Sequence, residues 1–158
     1  MQHRFSYDKK KVIQGLRYHF ISRPEIKFLI ILVNIFAIIS GVLFYLKKIR
    51  PEPFLLSSVM WLILMITFWY VLPLTIYKKS KTFQDNFTID FSDSGIDLQT
   101  SRGSVNWAWN DILSFVESPN FFHLYFTPRS FFLVSKDNMR SDTAHEIRGL
   151  LNKYVKKG

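Results

Sequence analysis

The chain has 158 residues and a formal net charge of +9, and it contains no cysteine. The absence of cysteine excludes a disulfide framework, thiolate chemistry and zinc–cysteine sites. Residues 1–27 contribute +5 of the charge, whereas residues 78–158 are nearly balanced at +2. We therefore expect the excess charge to meet anionic lipid headgroups, and we expect no nucleic-acid partner.

Residues 1–27 form a basic amphipathic segment. After a short extended lead-in, Asp8 is a candidate N-cap for a helix. The apolar positions of that helix recur at helical spacing: Val12, Ile13, Leu16 and Phe20. Two interpretations stay open, because this stripe can lie in the headgroup region of a membrane or pack on the C-terminal domain.

Residues 28–77 contain two apolar runs, 28–46 and 54–77, and neither run has a charged residue. The hydrocarbon core of a bilayer is about 30 Å thick and requires about 20 helical residues. The pattern therefore predicts a transmembrane hairpin with its elbow at residues 47–53. Two core helices of a soluble protein would each keep a polar edge, which these runs lack. The first run is too long for a cleavable signal peptide, so we expect it to remain as an anchor.

The basic residues near the two runs predict the orientation of the hairpin. Ten Lys and Arg residues flank its outer ends, against three in the elbow. By the positive-inside rule, both termini are expected in the cytoplasm, with residues 78–84 as a basic juxtamembrane linker. Six lysines are predicted to form a basic collar at the bilayer surface: Lys9, Lys10, Lys11, Lys78, Lys79 and Lys81.

Polar side chains inside the runs predict the register of the hairpin. If Leu46 and Phe54 are level at the membrane surface, Asn34 lies close to Thr67 on the facing helix. We predict a hydrogen bond between these two side chains, since an unpaired amide in hydrocarbon is costly. The rival interpretation is that Asn34 faces outward and bonds a second copy of the chain.

Small residues and a proline add two further expectations. Ser40 and Gly41 are predicted to allow close approach of the two helices. Pro73 should leave the carbonyl of Trp69 without its usual helical donor. Neither run holds an ionisable residue, so the hairpin is expected to anchor or oligomerise rather than to transport.

Residues 85–158 change to the alternating pattern of short β-strands. We count six strands separated by turn residues, followed by an amphipathic helix with capping-box spacing at Thr143 and Glu146. This pattern predicts a small antiparallel β-sandwich or partly open barrel with a helix covering one end. The expected fold class is an α+β membrane protein.

Two short motifs carry a family resemblance. The segments Phe91–Ile96 and Trp109–Ile112 resemble the signature F-x-x-x-G-I … W-x-D-I of the bacterial YcxB-like family. The residues that match the signature most closely are Gly95, Ile96, Trp109, Asp111 and Ile112. The resemblance implies two transmembrane helices followed by a cytoplasmic, pleckstrin-homology-like domain, and it implies no particular activity.

Residues that could support catalysis or metal binding are scattered. The four histidines, His3, His19, His123 and His145, show no metal-ligand spacing. No glycine-rich phosphate loop and no nucleophile elbow is present. Asp111 is expected to cap a turn rather than to act as a catalytic acid. We therefore expect no enzyme activity, cofactor or metal.

Two functional hypotheses remain. The first is an inner-membrane protein whose pleckstrin-homology-like module binds another protein at the membrane surface. The second is a small accessory subunit of a larger membrane assembly that acts through its transmembrane hairpin. The expected partner is another protein or a second copy of the chain. Recognition of a phosphoinositide is disfavoured, because Arg102 is the one basic residue in the first two loops between strands of the domain.

Overall fold

The computed structural model describes all 158 residues and divides them into two compact units. The β unit comprises residues 1–15 and 80–158, and the hairpin unit comprises residues 16–79. The chain therefore leaves the β unit once and returns to it once. This differs from the sequence-based division, in which residues 1–27 formed a segment apart from the C-terminal domain.

The hairpin unit is helical. Helix α1 spans Lys9–Ser22 and runs from one unit into the other, and helix α2 spans Pro24–Tyr45. The second apolar helix is continuous from Pro51 to Lys79. It consists of α3 (Pro51–Ile66), a π-helical turn (Thr67–Val71) and α4 (Leu72–Lys79). Helices α2 and α3 each begin with a proline, whose missing N–H has no helical acceptor at that position.

The β unit contains seven strands, a single-turn 3₁₀ helix before β2 (Lys81–Gln84), a second one (Trp109–Asp111), and the C-terminal helix α5 (Ser141–Tyr154). The strands are β1 (Gln2–Ser6), β2 (Asn86–Ser92), β3 (Gly95–Thr100), β4 (Gly103–Trp107), β5 (Ser114–Glu117), β6 (Phe121–Tyr125) and β7 (Phe131–Ser135). They form two antiparallel sheets with the orders β1-β2-β3-β4 and β5-β6-β7.

The additional strand is β1, which the sequence pattern suggested only as an extended lead-in. Its residues alternate between exposed and buried, with His3 and Phe5 inside. Ser6 pairs with Asn86, so the strand is completed only by residues that follow the whole hairpin unit. A five-residue strand with such a distant partner has too weak a local signal to be recognised.

The main core lies between the inner faces of the two sheets and includes Phe91, Ile96, Phe122 and Leu124. Helix α5 contributes to the same core through the fully buried residues Ile147 and Leu151. A small domain needs this extra apolar cover, because two short sheets alone bury little surface.

Strand β6 is buried on both faces. While Phe122 faces the core, Phe121 faces α1, where a Cβ added to Gly15 would lie 2.8 Å from the Phe121 ring. Val12, on the same part of α1, has no exposed surface. The first half of the α1 stripe therefore packs within the β unit, as the second of the two interpretations proposed.

Candidate functional site

The outer surface of the hairpin unit is apolar. Helix α2 and the helix Pro51–Lys79 are long enough and apolar enough to cross a membrane. Their most apolar 18-residue segments have mean hydropathies of 2.6 and 2.1. Only 6% of the first segment and none of the second is buried. Large side chains such as Phe28, Ile38 and Leu56 are about two-thirds exposed. A core helix of a soluble protein would have these side chains covered.

The polar contact between the two helices joins Asn34 to Trp61. The indole N–H of Trp61 donates to the side-chain oxygen of Asn34 (3.3 Å), and the Asn34 amide donates to the carbonyl of Ile30 (2.7 Å). The Thr67 hydroxyl donates to the carbonyl of Ile63 in its own helix (2.8 Å). The predicted hydrogen bond between Asn34 and Thr67 is therefore wrong, although Asn34 does bond across the hairpin.

The register differs because α3 begins earlier than its apolar boundary suggested. Helix α3 starts at Pro51, so that Phe54 already lies in its first turn. The ring of Phe54 stacks on Phe44 (centroids 4.9 Å apart) and lies beside Gly41. The contacts of α2 are consequently two to five positions closer to the elbow on α3 than the prediction assumed: Phe44 meets Phe54 rather than position 56, and Asn34 meets Trp61 rather than position 66. Ser40 is buried, at 8% exposure, which fits the expected close approach of the helices.

A second polar contact lies where the long helix contains its π-helical turn. Pro73 cannot donate to the carbonyl of Trp69, as the sequence predicted. Arg17 supplies the missing donor, since its Nε bonds that carbonyl at 2.8 Å. Its guanidinium also lies over the rings of Trp69 (4.9 Å) and Tyr70 (5.2 Å). Sequence reasoning missed Arg17, although its position off the apolar stripe of α1 was a usable signal.

The six collar lysines are divided between the two units. Lys9, Lys10, Lys11 and Lys81 belong to the β unit, and Lys78 and Lys79 end α4. Lys11 forms an ion pair with Asp137, which raises the pKa of its ammonium group mainly through their hydrogen bond. Lys11 is thus already engaged within the β unit. The assembly of all six lysines into one collar stays a prediction.

The residues of the family motif have structural roles. Gly95 has a φ of +149°, and a Cβ on it would lie 2.5 Å from the carbonyl oxygen of Trp107. No side chain fits that position without moving the backbone. Ile96 and Ile112 are buried in the main core.

Trp109 connects three parts of the β unit. Its indole N–H donates to the carbonyls of Ser92 (3.1 Å) and Asp93 (3.2 Å), in the turn between β2 and β3. Its ring stacks on Tyr154 of α5, with centroids 5.0 Å apart. Asp111 accepts a hydrogen bond from the backbone N–H of Ala108 (3.0 Å), which is the capping role predicted for it.

A charged cluster holds α5 against β5. Arg148 of α5 donates two hydrogen bonds to the carboxylate of Glu117, each 2.7 Å long, and Lys136 donates a third at 2.8 Å. The bond from Arg148, with help from Lys136, lowers the pKa of Glu117 to about 2. The charged groups of this cluster bond one another within the β unit. No group of three or more His, Asp or Glu side chains is placed to hold a metal ion, and His123 is buried against the hydroxyl of Ser118 (2.9 Å).

Three of the four sheet edges in the β unit are closed. The edges of β1 and β7 meet through side chains: His3 bonds the carbonyl of Ser135 (2.9 Å), and the Tyr7 hydroxyl donates to the carbonyl of Leu133 (2.6 Å). The edge of β5 is covered by the C-terminal tail, through backbone bonds of Phe115 with Lys156 and Gly158.

The fourth edge, β4, pairs only with β3. Residues Gly103 to Asn106 are exposed, and the strand carries no charge and no proline. Val105 is 50% exposed although it faces the same side as Leu98 of the core. Edge strands are usually protected by charge, proline or a bulge. This edge has none of these three protections.

The fold and these sites define a class of protein: two long apolar helices inserted between the first and second strands of a small unit with two antiparallel sheets. Residues 91–151 match the family model of the YcxB-like protein, which confirms the resemblance for that part of the chain. The match begins at the end of β2 and ends within α5, and it contains all five motif residues. No curated protein and no solved structure matches the chain.

Proposed function

We propose that the chain is a membrane-anchored binding protein. The hairpin unit spans the bilayer, and the β unit is a cytoplasmic, pleckstrin-homology-like module that binds another protein at the membrane surface. The exposed apolar surface of α2 and of the helix Pro51–Lys79 supports the anchoring role. In water this surface would drive aggregation, whereas lipid tails match it.

Chain connectivity supports a common side for both termini. The hairpin unit leaves after β1 and returns before β2, and these two strands are paired neighbours. The two outer ends of the hairpin must therefore lie on one side of the bilayer. The basic residues near those ends favour the cytoplasm.

The arrangement of strands supports the pleckstrin-homology-like assignment. A four-stranded and a three-stranded antiparallel sheet, followed by one C-terminal helix that packs on the core, is the architecture that the family resemblance implies. In this chain the hairpin is inserted between the first two strands of that architecture. The insertion is compatible with it, because β1 still pairs with β2 along its full length.

The observation that carries the binding role is the open edge of β4. An extended segment of a partner can add to this edge as a further strand, with its backbone bonded to the free groups of β4. Val105 and the half-buried ring of Trp107, which contacts Phe126 and Phe132, offer an apolar contact beside that strand. The partner segment should therefore be extended and carry an apolar residue.

The topology can be tested with single cysteines, since the chain has none. An impermeant thiol reagent applied to intact cells should label Glu52→Cys in the elbow and spare Ser130→Cys in the β unit. The reverse pattern would overturn the orientation, and equal protection of both cysteines would argue against a spanning hairpin.

The binding role can be tested by photo-crosslinking in cells. A photoreactive residue in place of Asn106 should capture one protein reproducibly, whereas the same residue in place of the exposed Asp142 on α5 should not. Adding Val105→Lys should abolish the Asn106 product, because a charge on an edge strand opposes pairing. A product that is unchanged by Val105→Lys would contradict binding at this edge.

An apolar groove favours the accessory-subunit role as a second candidate. It has a volume of about 310 Å³ and lies between α2 and α3. Leu32, Phe36, Met60, Trp61 and Leu64 contribute to its lining. Photoreactive residues at Leu32 or Met60 would capture a partner if this role is correct, while the residue at Asn106 would not.

A further inference from the structure

The two apolar helices differ in length. Helix α2 has 22 residues and the helix Pro51–Lys79 has 29, which correspond to about 33 Å and about 43 Å. Helix α2 ends at the elbow and the longer helix begins there, so the longer helix extends past the N-terminal end of α2 by roughly 10 Å. Because a hydrocarbon core is about 30 Å thick, the last part of the longer helix lies outside it.

The contacts between the helices show which residues share a level. Asn34 contacts Trp61, and the chains run in opposite directions. Seven residues from Asn34 toward the start of α2 lies Lys27, and seven residues beyond Trp61 lies Phe68, directly before Trp69. Lys27 is exposed and charged, and the uncharged part of α2 begins directly after it. If Lys27 marks the hydrocarbon boundary on α2, the same level on the longer helix therefore falls at Phe68, next to Trp69.

Three further features mark the same level and do not depend on counting residues from the contact between Asn34 and Trp61. The π-helical turn Thr67–Val71 lies here, which locally changes the direction of the side chains. Trp69 and Tyr70 are 45% and 53% exposed, and these two residue types prefer the membrane interface. Arg17 lies over both rings.

The guanidinium of Arg17 is placed to bind a phosphate at this level. Its Nε is used by the carbonyl of Trp69, and the two rings fix the plane of the guanidinium. The two Nη atoms carry four more N–H donors, in the planar arrangement that binds phosphate oxygens in pairs. An arginine held by aromatic rings in this way loses little conformational freedom on binding.

We propose that Arg17, oriented by Trp69 and Tyr70, binds the phosphate of a phospholipid headgroup and sets the point at which the second helix leaves the bilayer. This inference rests on the proposed membrane-spanning hairpin. It places Val71–Tyr77 outside the hydrocarbon, whereas the apolar pattern alone extended the span to Tyr77.

The depth of the helix can be measured by tryptophan quenching in reconstituted bilayers. Lipids brominated near the chain ends should quench Trp61, and lipids brominated near the glycerol should quench Trp69. The two residues are about 12 Å apart along the helix. Comparison of the full-length protein with its Trp61→Phe and Trp69→Phe variants assigns each component. Deep quenching of Trp69 would contradict the proposed boundary.

Phosphate binding can be measured by native mass spectrometry of the full-length protein with added phosphatidylglycerol. Arg17→Gln should weaken the tightest lipid site roughly tenfold, which is the effect of one charge-assisted contact. Arg23→Gln is the matched control, because Arg23 lies at the start of α2 and interacts with Glu25. Diacylglycerol, which lacks the phosphate, should bind both variants equally.

The outcomes separate the inference from the proposed function. If neither brominated lipid quenches Trp61, the spanning hairpin itself is wrong. If Trp61 is deep and Arg17→Gln binds phosphatidylglycerol like Arg23→Gln, only the lipid site is wrong. Competition by millimolar inorganic phosphate would identify free phosphate, rather than a lipid, as the ligand. Circular dichroism of Arg17→Gln, together with the Arg17→Lys variant, detects any loss of fold.

Discussion

The two units of this protein differ in where most of their polar side chains bond, and the exceptions in the hairpin unit are Arg17 with Trp69 and Trp61 with Asn34. In the β unit they connect residues far apart in the chain, as Trp109 does with Ser92 and Arg148 with Glu117. In the hairpin unit, hydroxyl groups bond carbonyls of their own helix; these residues are Ser22, Ser57, Ser58, Thr67 and Thr75. The β unit is thus specified by its internal contacts, whereas the hydroxyl groups of each hairpin helix are satisfied within that helix.

This comparison predicts where substitutions are costly. A change in the β unit removes contacts that no local rearrangement can replace, so its effect on folding should be large. A change in a hairpin helix leaves backbone bonding intact, so its effect should be small in a bilayer. The effects should therefore decrease from the β unit to the hairpin unit when the full chain is measured in detergent or bilayers.

The largest effect is expected for Gly95→Ala. The residue needs a φ of +149°, and its new Cβ would lie 2.5 Å from a backbone oxygen of Trp107. Strain of this kind, with the displacement of β4, should cost about 3 kcal/mol or more. Near-ultraviolet circular dichroism should show loss of the β unit, while the far-ultraviolet helical signal persists.

Gly149→Ala is the matched control for that experiment. Gly149 is exposed on α5, and a Cβ there meets nothing within 4 Å. Alanine should stabilise the helix by up to about 1 kcal/mol. If Gly95→Ala and Gly149→Ala have equal melting temperatures, the structural role assigned to the motif glycine is wrong.

The next largest effect is expected for Trp109→Phe. Phenylalanine keeps the stacking on Tyr154 but removes the indole N–H that bonds the carbonyls of Ser92 and Asp93. The loss should be about 1 to 2 kcal/mol, because two part-buried carbonyls are left without this donor. Chemical denaturation followed by intrinsic fluorescence measures it. Trp107→Phe, at a half-buried residue for which no hydrogen bond of the indole is seen, should cost less.

Sequence reasoning succeeded where the signal is local. Alternation predicted the strands from β2 onward, capping chemistry predicted the role of Asp111, and apolar length predicted both long helices. It did not find β1, because the partner of that strand follows the hairpin unit. It did not find the partner of Asn34 either. The register depends on where α3 begins, and a proline at the first position allowed a start before the apolar run.

Arg17 shows the same limit for the candidate site. The sequence indicated a carbonyl without a donor at Trp69, but not which side chain would reach it. That match requires the positions of α1 and the long helix together. A local pattern can reveal an unsatisfied group, whereas its partner is found only from the structure.

A smaller effect is expected from acid on the cluster around Glu117. The pKa of this carboxyl is lowered from 4.5 to about 2, so the unfolded chain takes up the proton first as pH falls. The contribution of Glu117 to stability is therefore complete above pH 4.5 and is lost toward pH 2. After allowance for solvent screening it should be about 1 to 2 kcal/mol.

Glu117→Gln tests this effect by difference. At neutral pH the variant should be less stable than the unmodified chain, and the gap should close as pH falls from 4.5 toward 2. Burial, and to a lesser extent the charge of Arg23, lowers the pKa of His19 to about 4. His19 titrates in both proteins, so its effect cancels in the difference between their stabilities. A gap that is independent of pH would show that packing, rather than charge, holds α5 on β5.

The smallest effect is expected in the hairpin unit, at the contact between Asn34 and Trp61. The bond is 3.3 Å long, and the Asn34 amide keeps its second bond to Ile30 when Trp61 is changed. Interhelical hydrogen bonds in membranes contribute roughly 0.6 kcal/mol. A double-mutant cycle of Asn34→Leu and Trp61→Phe, measured by thermal stability in bilayers, should give a coupling energy of about that size.

Thr67→Val is the control, because the Thr67 hydroxyl bonds its own helix and should show no coupling to Asn34→Leu. Coupling of Asn34 to Thr67 rather than to Trp61 would restore the register expected from the apolar boundaries. Dimer crosslinking that Asn34→Leu abolishes, with no coupling to either residue, would instead show that Asn34 bonds a second copy. A coupling energy of several kcal/mol at Asn34 and Trp61 would contradict the comparison itself, because the hairpin would then be specified as strongly by internal polar contacts as the β unit.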